Sequence, residues 1–153
     1  MSPIDQAMQS DHERLDRLLA ATAQAVEAGR WQEARGALAK FRHGIEDGHM
    51  AVEEQTLFPA FERREGGGEH PLTALLRKGH QDLRLFFMEM ADAIGAEDAE
   101  EFADLHSTVQ IILRQHDAKE EGELYPFLAE ALPDHGAAVA EEMERAVRED
   151  RHE

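Results

Sequence analysis

The chain has 153 residues, with 33 acidic side chains against 16 basic ones, a formal charge of −17 and no cysteine. That length holds one ordinary domain with a sizeable core. The missing thiols exclude a disulfide framework, a thiolate metal site and a Cys nucleophile, and the acidic excess argues against nucleic acid or an anionic membrane surface as partner.

Ser2-Pro3 pairs a capping residue with proline, the combination preferred at a helix start. Ile4, Met8, Leu15, Leu18, Leu19, Thr22 and Val26 then recur at helical spacing as far as Gly29. A second helix is expected from near Trp31 to about Arg64, with Leu38, Phe41, Ile45, His49, Val52 and Thr56 facing inward. Gly44 and Gly48 lie inside it, where glycine costs up to about 1 kcal/mol against alanine; close approach of a neighbouring helix is a reason to keep them. Glu65-Gly66-Gly67-Gly68-Glu69 reads as a flexible linker. A third helix starts at Pro71 and carries Leu72, Leu75, Leu76, His80, Leu83, Phe86, Phe87 and Met90 before Gly95. A fourth runs from around Asp98 through Phe102, Leu105, Val109, Ile112, His116 and Glu120 to Leu132. Pro133-Asp134 breaks the chain before a short amphipathic helix with Val139, Met143 and Val147.

No strand pattern is present, and short connections between long helices predict an all-α, up-down antiparallel four-helix bundle with an extra C-terminal helix. The expected division is a bundle over residues 1–132 and a packed helix over 133–153. No apolar run approaches the roughly 20 residues that a membrane span needs. The opening Met1-Ser2-Pro3-Ile4-Asp5 lacks the basic start and apolar centre of a signal peptide, so the cytoplasm is the expected compartment.

The bundle is written twice, over about 2–64 and 70–132. An offset of 68 aligns Pro3 with Pro71, His12 with His80 and Leu15 with Leu83. An offset of 67 aligns His49 with His116, Glu53 with Glu120, Leu57 with Leu124 and Pro59 with Pro126. His49-x-x-x-Glu53 and His116-x-x-x-Glu120 each put an imidazole and a carboxylate on one helix face, one turn apart. His12 and His80 lie nine residues from Pro3 and Pro71, and His49 and His116 ten from Pro59 and Pro126. At about 1.5 Å of rise per residue, all four histidines fall roughly 14–15 Å from the proline-marked end.

Four inward imidazoles and two inward carboxylates at one level demand partners. Two divalent ions answer the demand, each taking two imidazoles, with Glu53 and Glu120 free to bridge. Such a donor set suits iron, manganese or zinc rather than copper(I). Glu54 and Glu121, turned by about 100° from the proposed ligands, read as solvent or outer groups. Glu46 is a further candidate ligand, but its counterpart is Leu113. His43, His70, His106, His135 and His152 read as surface or capping residues. Tyr125, opposite Phe58 in the repeat, reads as core, with a hydrogen bond near the site or an electron relay as alternatives.

His12, His49-x-x-x-Glu53, His80 and His116-x-x-x-Glu120, with Leu57-Phe58-Pro59 and Leu124-Tyr125-Pro126 after the paired motifs, resemble the haemerythrin-like HHE cation-binding family. The resemblance covers nearly the whole chain to about residue 132. It implies two iron ions joined by an oxo or hydroxo bridge and by carboxylates, with manganese or zinc as lesser alternatives. It also implies a small ligand: dioxygen, nitric oxide or peroxide. The oxygen-carrying members have an additional HisxxxHis in the third helix, where this chain has Leu76 one turn before His80. Their last carboxylate is an aspartate five residues after its histidine, whereas Glu120 follows His116 by four. Sensing or detoxification by binding, catalase- or peroxidase-like turnover of peroxide, and iron handling are all compatible with such a centre. No residue pattern specifies an oligomeric state or a protein partner.

Overall fold

A computed structural model of the chain describes residues 3–131 together with 141 and 145. Apart from residues 141 and 145, the helix expected within 133–153 lies outside the described residues. Four helical stretches make up the rest: α1 (Pro3–Glu27), α2 (residues 31–64), α3 (Pro71–Gly95) and α4 (residues 99–131). Helix α1 packs on α2 and α3 on α4, while α2 also meets α3 and α1 also meets α4. The four therefore close into a bundle. None of the described helices is long and apolar enough to cross a membrane.

The helix ends follow from local chemistry. Helix α1 stops where Gly29 takes φ +71°, with Gly29 N–H donating to the Val26 carbonyl and Arg30 N–H to that of Ala25. These two bonds satisfy carbonyls that the helix would otherwise leave open. Gly66 closes α2 in the same way, its N–H donating to the Arg63 carbonyl and the Gly67 N–H to that of Glu62. Helix α3 opens on Pro71, with His70 Nδ1 accepting from Leu72 N–H at 3.0 Å, and α4 opens on Asp98, which accepts from Glu101 N–H at 3.0 Å. The end of α3 departs from expectation. Gly95 stays helical, and the left-handed residue is Glu97 at φ +53°, where a side chain crowds the backbone.

Helices α2 and α4 are not uniform. In α2, α-helical Trp31–Arg42, Met50–Val52 and Phe58–Arg64 alternate with wider turns over His43–His49 and Glu53–Leu57. Met50 N–H reaches the Ile45 carbonyl and Phe58 N–H that of Glu53, five residues back instead of four. Helix α4 has one such turn, over Glu120–Leu124, closed by Tyr125 N–H on the Glu120 carbonyl. Each wide turn takes up an extra residue and so re-phases the side chains beyond it.

Two consequences follow. In an ideal α-helix, residues 49, 53 and 57 would drift apart by about 40° per step, yet His49, Glu53 and Leu57 are all buried. Val52 and Thr56, expected inward, are only half-buried. Secondly, the loops of the two repeats align at an offset of 68 (Trp31 with Ala99), whereas the histidines at 49 and 116 align at 67. The extra residue of the first repeat therefore lies inside helix α2, and the turn over His43–His49, which α4 lacks, accommodates it.

The apolar core is in two blocks. One is built on Leu19, Phe41, Phe87, Met90, Phe102 and Val109. The other, at the proline-marked end, is built on Ile4, Met8, Leu57, Phe58, Leu124 and Tyr125. Leu75, expected inside, is 52% exposed, and Leu113 rather than Ile112 is the buried residue of its turn. The polar residues of interest lie between the blocks.

Replacing Glu97 with glycine should relieve the left-handed strain and stabilise the fold by about 1 kcal/mol. Thermal or urea denaturation of Glu97→Gly checks this, and an unchanged or lower midpoint contradicts it.

Candidate metal centre

Between the two apolar blocks, His12, His49, Glu53, His80 and Glu120 are buried, and His116 is half-buried at their side. Helix α1 supplies His12, α2 supplies His49 and Glu53, α3 supplies His80, and α4 supplies His116 and Glu120. All six sequence-predicted residues thus reach one layer. The rings pair across it: His12 and His49 have centroids 4.4 Å apart, His80 and His116 4.8 Å.

The donor atoms divide into two sets. Glu53, His80, His116 and Glu120 each offer one atom within 4.8 Å of the others, as do His12, His49 and Glu120. His80 Nε2 lies 3.1 Å from Glu53 Oε1, and His116 Nε2 3.4 Å from Glu120 Oε2. These four atoms are buried and have no hydrogen-bond partner, because the close pairs lack hydrogen-bond alignment. The second set is arranged differently. The Tyr125 hydroxyl donates to Glu53 Oε2 at 2.7 Å. It lies 3.2 Å from Glu120 Oε1 and 3.4 Å from both His12 Nε2 and His49 Nε2.

Outer carboxylates hold the imidazoles from behind. His49 Nδ1 bonds Asp11 at 2.8 Å, His80 Nδ1 bonds Glu54 at 2.7 Å, and His12 Nδ1 bonds Glu121 at 3.0 Å. Asp11 is in turn held by Arg14 at 2.8 Å, and Glu54 by both amino groups of Arg84 at 3.0 and 3.1 Å. A carboxylate on Nδ1 fixes the ring and leaves Nε2 as the inward donor, the usual arrangement behind a metal-bound histidine. His116 is positioned instead by a notch. A Cβ at Gly79 on α3 would come within 2.9 Å of His116 Nδ1, so only glycine there gives the ring its place.

Charges in the layer are strongly coupled. Burial pushes the Glu53 carboxyl up to about 7, with the Glu120 charge adding to the rise. Burial opposes ionisation of Glu120 too, yet contacts with Glu53, His116 and His12 hold it well below the usual range. Burial would lower the two histidines, but Glu120, Asp117 and Glu121 keep His12 up at about 10, and Glu53 and Glu54 keep His80 up at about 9. Glu54, despite partial burial, is brought down to about 2 by His80 and Arg84. Metal-free, the layer balances its carboxylates with protons on its histidines; cations can take over that role.

The residues fit a metal centre on their own evidence of geometry: buried nitrogen and oxygen donors converge, four of them unpartnered. A helical bundle with such a layer is a metal-binding bundle. The chain belongs to the hemerythrin family, whose HHE cation binding domain matches residues 4–128. Comparisons with curated proteins and with solved structures returned no match.

Other sequence candidates fall elsewhere. Glu46 pairs with Arg42 at 2.8 Å, and His43 with Asp47 at 3.1 Å. His70 caps α3, and His106 stacks on Phe102. His135 and His152 lie outside the described residues. Sequence reasoning singled out neither Asp11, Asp117 nor Gly79. Asp117 places Oδ1 3.3 Å from His12 Nε2, and burial raises its carboxyl to about 6. Tyr125, read first as core, is at the centre of the layer. Its place opposite Phe58, directly after the HisxxxGlu repeat, was the available signal.

Gly79→Ala should leave the metal-free fold as stable or more so, since alanine is the better helix former by about 1 kcal/mol. It should weaken metal binding about 10- to 100-fold, the range for losing a group that orients a ligand; isothermal titration of both proteins checks it. A pH dependence follows as well. His12 and His80 have folded values of about 10 and 9, above the ordinary 6.5. Their stabilisation is complete below about pH 6.5 and is lost as pH rises through 9 to 10. Glu53, raised to about 7, acts in the same direction through a lower window. The metal-free protein should therefore melt at lower temperature at alkaline pH, and metal uptake near neutrality should release protons into a weak buffer. A flat melting profile, or uptake without proton release, would contradict the assignment.

Proposed function

We propose that the chain is a non-haem di-iron protein that binds or reacts with dioxygen, nitric oxide or peroxide. His12, His49, Glu53, His80, His116 and Glu120 are its ligands. The observation that supports this most directly is the division of the layer into two donor sets that share Glu120, with Glu53 Oε1 3.1 Å from His80 Nε2 and Glu53 Oε2 3.6 Å from His49 Nε2. Two imidazoles on each side and a carboxylate oxygen of each glutamate toward each side suit a pair of ions with bridging carboxylates. Iron is the ion that gives such an imidazole–carboxylate site redox chemistry with small oxygen and nitrogen ligands.

The chain's own contribution is geometry and exclusion. Asp11, Glu54 and Glu121 hold three imidazoles at fixed angles. The six donors and the apolar side chains of Leu15, Phe41, Ile45 and Leu83 together line a small cavity of about 10 Å³. That is room for about one water-sized molecule, so large substrates are excluded from the donors. An acidic groove between α1 and α4, including Glu13, Asp16, Asp117 and Glu121, runs from solvent to His12 and favours approach of cations. The bundle that carries this centre is read as up-down and antiparallel, its helices joined by short connections around one domain.

The test is anaerobic loading with ferrous salt, desalting and elemental analysis, followed by absorption spectra before and after azide and peroxide. Two irons per chain and spectra that respond to both additions are expected. His49→Ala and His116→Ala should each lose at least one iron and that response. Wild-type protein that emerges without iron, or variants with full iron content and reactivity, would overturn the proposal.

A further inference from the structure

The two proposed ion positions are related by the sequence repeat, but only one of them faces a phenol oxygen. Phe58 and Tyr125 occupy equivalent places at an offset of 67, each the middle residue of a Leu-aromatic-Pro run and five residues after Glu53 and Glu120 respectively. Both rings are fully buried in the same apolar block. Phe58 stacks on His80 with centroids 5.4 Å apart, and Tyr125 faces His12 at 6.0 Å. Beside the Phe58 ring, Glu53 Oε1, His80 Nε2, His116 Nε2 and Glu120 Oε2 have no hydrogen-bond partner. Beside the Tyr125 ring, the complementary atoms Glu53 Oε2, His12 Nε2, His49 Nε2 and Glu120 Oε1 all surround the phenol oxygen, at 2.7–3.4 Å.

A hydroxyl fully enclosed by four metal donors does more than fill core volume. It occupies the focus of the second donor set, and no other residue of the chain contributes a phenol, because Tyr125 is its only tyrosine. An ion held by His12 and His49 must share that focus with the phenol oxygen. The ring is buried in the apolar block, so it has little room to retreat beyond the ion's reach.

We propose that Tyr125 is a seventh donor to the centre, its phenol oxygen binding the ion at the His12–His49 position and making the two ion positions chemically distinct. The inference rests on the di-iron reading above. On binding, the O–H bond is exchanged for an oxygen–metal bond, and one proton per chain passes to solvent without change of oxidation state. Phenolate is a recognised protein ligand to iron, and an oxygen donor completes a set otherwise made of two imidazoles and two carboxylates.

Resonance Raman and visible absorption spectra of the iron-loaded, air-oxidised wild-type protein test the proposal. A tyrosinate bound to ferric iron produces a visible charge-transfer band and enhanced phenol ring modes, and with one tyrosine in the chain these can come only from Tyr125. The expected result is that wild type shows both and that Tyr125→Phe loses both. Iron-loaded wild type without the ring modes overturns this inference and leaves the di-iron reading standing, with Tyr125 as an outer hydrogen-bond donor. Wild type that holds no iron overturns both. The wild-type spectrum decides the matter even if Tyr125→Phe fails to fold.

Discussion

Everything in this molecule depends on a polar layer placed in the middle of an apolar bundle. Glu53, His80 and Glu120 are completely buried, and His12 and His49 nearly so. Two carboxylates in contact with one another cannot both be ionised at low cost in such a place, which is why burial and the Glu120 charge push Glu53 up to about 7. Protons on His12 and His80 offset part of that charge in the metal-free protein. They leave four donor atoms without hydrogen bonds, and a buried polar atom with no partner costs about 1–3 kcal/mol. The layer makes physical sense as a cation site and poor sense as ordinary core.

The rest of the fold serves the aim of those donors. Helices α1 and α3 carry single histidines and meet the layer as regular α-helices, with acidic residues behind the rings to hold them. Helices α2 and α4 carry His-x-x-x-Glu pairs and change pitch just where the glutamates lie. An extra residue per turn brings residues four and eight apart onto one line, which regular helix geometry would not allow. On α3 the contribution to its neighbour is an absence, the missing side chain of Gly79 against the His116 ring.

Much of this was readable in the residues, and what was not has physical causes. Four histidines at one level could be counted from the prolines, because helical rise per residue is nearly constant and does not depend on partners. The phase of α2 could not, because the wide turns respond to what the ligands must face; Val52 and Thr56 were therefore expected inside when Glu53 and Leu57 carry the buried face. Asp11, Glu54 and Glu121 sit next to ligands in sequence, where an acidic residue on an acidic protein reads as solvated surface. Glu54 and Glu121 could be read as solvent or outer groups, but which imidazole each holds, and the role of Asp11, appear only when a second helix presents a ring to them. Gly79 gives no sequence signal at all, since its importance is the position of a ring on another helix. Leu75 fits the apolar spacing of α3 yet is 52% exposed, because α3 packs on α2 and α4 over a narrower arc than its apolar stripe.

The separation of the apolar residues into two blocks gives the centre a mechanical place in the molecule. Among the described residues, the block around Phe87 and Phe102 and the block around Phe58 and Leu124 are distinct, and the histidine–carboxylate layer is the seam between them. A change of valence or ligand at that seam would act on all four helices at once, since every one is anchored there. Rigidity at either end of the bundle is thereby tied to the state of a few atoms at its waist. A cation held there would have a direct lever on the whole domain.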